Sequence, residues 1–95
     1  MLGELIGIND TWIRVKPSSP SLNIIKNGIY PIIPEVVTDT ESYPNGAYKY
    51  GVLIVLATTI GGLQIYAPDD TSNLYFRSIY NGNPKQWAKV ITTKV

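Results

Sequence analysis

The stretch Gly51-Val52-Leu53-Ile54-Val55-Leu56-Ala57-Thr58-Thr59-Ile60, followed by Gly61-Gly62 and then Leu63-Gln64-Ile65-Tyr66-Ala67, decides the fold. Two apolar runs flank a glycine pair, which predicts a β-hairpin. The first run is apolar at nearly every position, so it reads as a central strand. Downstream, Pro68-Asp69-Asp70-Thr71-Ser72-Asn73 reads as a turn, Leu74 to Tyr80 as a strand, Asn81 to Lys85 as a turn and Gln86 to Thr93 as a last strand. Closely spaced strands of this kind predict an antiparallel meander. Alternation along Leu74 to Tyr80 puts Tyr75, Arg77 and Ile79 on one face and Leu74, Phe76, Ser78 and Tyr80 on the other.

Upstream the pattern is more broken. Pro34 to Gly46 is a long polar connection carrying Glu35, Asp39 and Glu41, and reads as functional or mobile. Ile29 to Ile33 is extended, and Pro31 within it argues for a sheet edge. Ser19 and Pro20 resemble the cap and first position of a helix. A short helix is therefore expected over Ser21 to Lys26, with Leu22 and Ile25 inward and Asn27-Gly28 as its stop. Thr11 to Lys16 alternates as a strand. Met1 to Ile8 is apolar, but Gly3 and Gly7 weaken an isolated helix. It reads as an arm that needs an interface, through Leu2, Leu5, Ile6 and Ile8. The expectation is a mainly β chain: a small antiparallel β-sheet domain with one short helix over residues 17–95, preceded by an attachment or oligomerisation arm over 1–16.

Composition narrows function. The chain has 95 residues, enough for one domain. Charged residues make up 16%, below the usual share of about 25%. A net charge of +1 gives no electrostatic footprint for nucleic acid, although Tyr75-Phe76-Arg77 superficially resembles a base-stacking strand. There is no cysteine, hence no disulfide framework or thiolate zinc site. The longest apolar run, Val52 to Ala57, is too short to span a bilayer. Glu4 stands where a signal peptide favours Lys or Arg.

There is also no histidine, so a Ser-His-Asp arrangement is excluded. Two carboxylates can hydrolyse glycosides, and the candidate pairs are Glu35 with Glu41 and Asp69 with Asp70. The first pair reads as solvated loop charge, the second as turn chemistry. Asp69 to Asn73 offers oxygens without the spacing of an EF-hand loop. The expectation is therefore no catalytic residue, no metal and no cofactor.

Tyrosines crowd the second half. Tyr joins a flat apolar ring to a hydroxyl and suits both sugar stacking and protein contacts. Tyr43, Tyr48, Tyr50 and Tyr80, with Asn45, Asn81 and Asn83 beside them in turns, are the candidate ligand contacts. Strand preference and subunit packing explain the same tyrosines equally well. Arg77 can stack on a ring or meet a carboxylate of a neighbouring subunit, so it joins the candidate interface. Trp87, among Ala88, Val90 and Ile91, reads as core.

Leu22-Asn23, then Asn27-Gly28-Ile29-Tyr30, the Pro44-Asn45-Gly46 turn, Gly51-Val52-Leu53-Ile54-Val55, Gln64-Ile65-Tyr66, Tyr75-Phe76-Arg77 and the closing Trp87 together resemble pyocin-knob-like domains of phage tail fibres. The resemblance covers about three quarters of the 95-residue chain. That family often ends in a Trp-rich pair, of which only Trp87 stands here, and Met1 to Lys16 has no counterpart. The resemblance implies a non-catalytic tail-fibre or receptor-binding knob, often a homotrimer. It would sit in the virion beside other virion proteins and contact a host-surface glycan. It supplies no ligand residues. Two other readings stand beside it: a monomeric carbohydrate- or wall-binding module, and a structural fibre or adaptor without receptor contact.

Overall fold

A computed structural model describes residues 15–70 and 73–91. The arm Leu2, Leu5, Ile6 and Ile8 and most of the expected Thr11–Lys16 strand lie outside the described residues. The chain forms a mainly β domain around one antiparallel sheet. Its strands are β1 (Gly28–Ile32), β2 (Gly51–Ala57), β3 (Gly61–Pro68), β4 (Leu74–Tyr80), β5 (Asn83–Pro84) and β6 (Ala88–Val90). They run β1-β2-β3-β4 side by side, and both β5 and β6 pair with β4.

Among the described residues β1 is an edge strand, in keeping with Pro31: β2 flanks one side and an isolated parallel bridge from Val15 to Ile29 touches the other. β2 is internal, as its continuous apolar run predicts. β5 lies within the expected Asn81–Lys85 turn, and of the described part of the expected last strand Ala88–Val90 forms β6. β5 pairs with Ile79 and Tyr80, β6 with Leu74 to Phe76. Pro84 faces Ile79, and Lys85 N still donates to Ser78 O at 2.8 Å before the chain leaves the sheet.

The hairpin between β2 and β3 turns two residues earlier than the glycine pair implies. Thr58 closes it by donating its backbone N–H to Gly61 O at 2.6 Å and its hydroxyl to the same oxygen at 2.7 Å. Gly61 and Gly62 belong to β3. Gly62 is needed for close approach rather than for the turn: a Cβ there would lie 2.4 Å from Leu56 O and 2.6 Å from Ala57 Cα. The later Asn81-Gly82 pair is a true two-residue hairpin loop, with φ of 51° and 75° as a type I′ turn demands.

One sheet face is buried. It carries Tyr30, Ile32, Leu53, Val55, Tyr66, Tyr75 and Ile79, with Gln64 and Arg77 among them. Its cover comes from irregular chain. The polar connection after β1 is not a loose loop: Val37, Ser42, Tyr43, Pro44 and Ala47 are all buried against the sheet. Its only regular piece is a short 3₁₀ turn, Thr40–Ser42.

The helix expected over Ser21 to Lys26 does not form. A helix would commit the Leu22 carbonyl to its own i+4 amide. Instead Leu22 O accepts from Gln64 Nε2 at 2.9 Å and Arg77 Nη2 at 2.8 Å, and Leu22 N donates to Ser42 Oγ at 2.9 Å. The Ser19 cap signal is spent on a local turn, with Ser21 N donating to Ser19 Oγ at 3.3 Å. Leu22 is fully buried as expected, but Ile25 is exposed.

Candidate binding cleft

The register of the sheet assembles the site. Gly51 pairs with Pro68, so the chain entering β2 runs beside the chain leaving β3. Asp69 N donates to Tyr50 O at 2.9 Å, which ties the two segments together. Asn73 precedes β4 at the same end. Between them lies an open cleft of about 570 Å³. Its walls include Pro34, Ala47, Tyr48, Tyr50, Asp70 and Asn73, with buried Tyr75 beneath.

Tyr48 and Tyr50 are exposed by 46% and 37%. Their ring centres are 5.8 Å apart and their planes are tilted by 42°. Both are held from behind. Tyr48 O accepts from the buried Tyr66 hydroxyl at 2.6 Å. The Tyr50 hydroxyl donates to Glu35 Oε2 at 2.8 Å, and this bond, with the carboxylate's charge, raises the Tyr50 pKa above its ordinary value. The cleft thus joins two aromatic faces to the carboxylate of Asp70 and the amide of Asn73, while the Lys49 ammonium lies over the Tyr43 ring at 4.3 Å. Rings that cover C–H faces, with acceptors and donors at the rim, suit a polar ligand bearing apolar patches, such as a sugar.

The expected contacts divide. Tyr48 and Tyr50 line the cleft, and Asn45 is exposed in the turn just before its Gly46 wall. Tyr43 does not belong to a binding surface. It is buried, its hydroxyl donates to Lys49 O at 2.8 Å, and its ring meets Tyr66 edge-on at 5.9 Å. Tyr80, Asn81 and Asn83 are exposed but stand at the opposite end of β4, where Tyr80 pairs with Gly61. They do not share the cleft. Asn83 Nδ2 is engaged with Asn81 O at 3.3 Å.

Arg77, expected at a subunit interface, is instead buried inside the chain. Nη2 donates to Leu22 O and, at 3.0 Å, to Asn23 Oδ1, while Nε donates to Gln64 Oε1. Burial pulls its pKa down to about 10, which still leaves it charged at neutral pH. It serves to clamp the Leu22–Asn23 segment onto the sheet.

Asp70, Asn73 and Lys49 were not singled out as ligand contacts by sequence. Asp70 reads as a turn residue and is one. Only the β2–β3 register places that turn beside Tyr50. Among the described residues, no cluster of three or more acidic side chains is placed to hold a metal ion. No family model, curated protein or solved structure matches this chain.

Proposed function

We propose that this chain is a non-catalytic knob of a phage or phage-derived tail fibre, working as a homotrimer in the virion and contacting a host-surface glycan through the Tyr48–Tyr50 cleft. The observation that carries the reading is the cleft itself. Two exposed rings stand 5.8 Å apart on a rigid sheet end, with polar groups at the rim. Loops positioned by a rigid scaffold are the usual place for recognition. Tyr adds contact area with little loss of rotamer freedom.

The residues that carry the resemblance to pyocin-knob-like domains include a set that packs together. Leu22, Asn23, Gln64, Arg77 and Trp87 are scattered in sequence yet form one connected cluster. A non-catalytic role fits the chemistry of the cleft. The chain has no histidine, and Glu35 is engaged by the Tyr50 hydroxyl.

The test is binding of the fluorescently labelled chain to a panel of bacterial cells, before and after periodate oxidation of their surface glycans. Binding to some strains that periodate abolishes is the expected result. Binding to none, or binding that survives oxidation, overturns the glycan reading.

A further inference from the structure

The sheet has a second face, turned away from the core, and the cleft does not use it. An antiparallel sheet with one face in water normally alternates apolar with polar residues. This one does not. Register aligns Ile29, Ile54, Ile65, Phe76 and Ala88 in a single row across the whole sheet. Leu56 pairs with Leu63 on one side of that row, and Val52 pairs with Ala67 on the other. No Asp, Glu, Lys or Arg occupies an outward position of β1, β2, β3, β4 or β6. Phe76 is 40% exposed, and Leu56, Leu74 and Val90 are each 37% exposed.

From this we infer that the outer sheet face, centred on Ile54, Ile65 and Phe76, is the surface through which copies of this chain associate. Five strands about 4.8 Å apart, of up to seven or eight residues rising about 3.4 Å each, give a face on the order of 500 Å². That is at the upper end of the patches a monomer leaves in water. Two such faces together bury roughly 1,000 Å², the lower bound for an interface between proteins. The face carries no charge to select a differently charged partner, and a flat apolar face is complementary to itself. Sheets stack face to face about 10 Å apart with side chains interleaved. β1 is a poor route for edge pairing, because Pro31 lacks an N–H and Val15 already bridges Ile29. The cleft opens at the strand ends among residues that cover the other face, so association leaves it accessible.

This inference rests on the assembly proposed above: three such faces turned to a common axis make the trimer, two stacked directly make a dimer, and the test separates the two. Light scattering on the full chain at about 50 μM should give a multiple of 10.5 kDa. Ile54→Lys and Phe76→Lys should each reduce it to 10.5 kDa. Both side chains point away from the core, so circular dichroism should still show a folded sheet. A second measurement does not depend on those variants. The chain has no cysteine, so a single introduced thiol reports its own surroundings. A Phe76→Cys thiol should be protected from a bulky maleimide, while an Asn45→Cys thiol reacts freely. A trimer with Phe76→Cys protected supports both readings. A dimer with the same protection supports this surface and removes the threefold fibre. A monomeric wild type, or an oligomer in which Phe76→Cys reacts as fast as Asn45→Cys, overturns the inference and leaves glycan binding to its own assay.

Discussion

The guanidinium of Arg77 lies 4.1 Å from the centre of the Trp87 ring. This contact covers the one buried cation of the sheet's inner face with an aromatic ring, and it anchors the chain after β5 to β4. The Trp87 indole also donates Nε1–H to Ser42 O at 2.9 Å, so one side chain joins the sheet, the covering segment and the last strand.

Removal of that ring should therefore loosen three elements at once. Trp87→Ala is expected to lower stability by about 3 kcal/mol, the low end for a Trp truncation because the ring is only partly buried. Urea denaturation followed by tyrosine fluorescence measures it. A variant with an unchanged midpoint contradicts the assignment of Trp87 to structure.

Arg77 should not tolerate Lys. An ammonium keeps the charge but cannot reach Gln64, Leu22 and Asn23 together as the planar fork does. Arg77→Lys is expected to cost about 2–3 kcal/mol, as expected where hydrogen bonds to a charged group are lost and buried acceptors are left unpaired. The same denaturation experiment tests it, and equal stability of Arg77→Lys and wild type would show that the clamp contributes little.

Gly62→Ala should destabilise although the position sits in a strand, where Ala ordinarily does no harm. The added methyl meets Leu56 O and Ala57 Cα, backbone atoms that cannot rotate aside. Overpacking of this kind costs about 1–3 kcal/mol. A melting temperature at or above that of wild type would contradict the close approach of β2 and β3.

Stability should fall in alkali. Burial is the main cause that holds Tyr43 and Tyr66 above the ordinary phenol value of 10.0. In the unfolded chain these tyrosines ionise near pH 10. Above that pH the unfolded state has released protons that the folded state retains, so the folded state loses ground as pH rises. The contribution is fully present below pH 10 and declines as pH climbs towards the raised folded values. The urea midpoint should be level between pH 7 and 9 and lower at pH 11, and a midpoint at pH 11 equal to that at pH 9 would contradict the burial of the two phenols.

The strands from Gly51 to Tyr80 are legible in sequence because period-two alternation and turn residues act locally. The faces of Tyr75, Arg77 and Ile79 follow from that alternation, and all three are buried. The segment around Leu22 is not legible, because its carbonyl is claimed by Gln64 and Arg77, more than forty residues away. Local cap signals cannot foresee such a competitor. The cleft is half legible. Tyr48 and Tyr50 are marked by their type and turn setting, but Asp70 and Asn73 join them only through strand register. Tyr43 looks the same as its neighbours in sequence and differs only in burial.

The central claim is that the Tyr48–Tyr50 cleft is the ligand surface. The most direct measurement compares wild type with a Tyr48→Ala, Tyr50→Ala double variant in cell binding, with oligomeric mass recorded on the same samples. Both rings are exposed, so the fold and mass should persist while binding falls at least tenfold, as the loss of two sugar-stacking rings worth about 1 kcal/mol each implies. Undiminished cell binding by the double variant at unchanged mass would contradict the account.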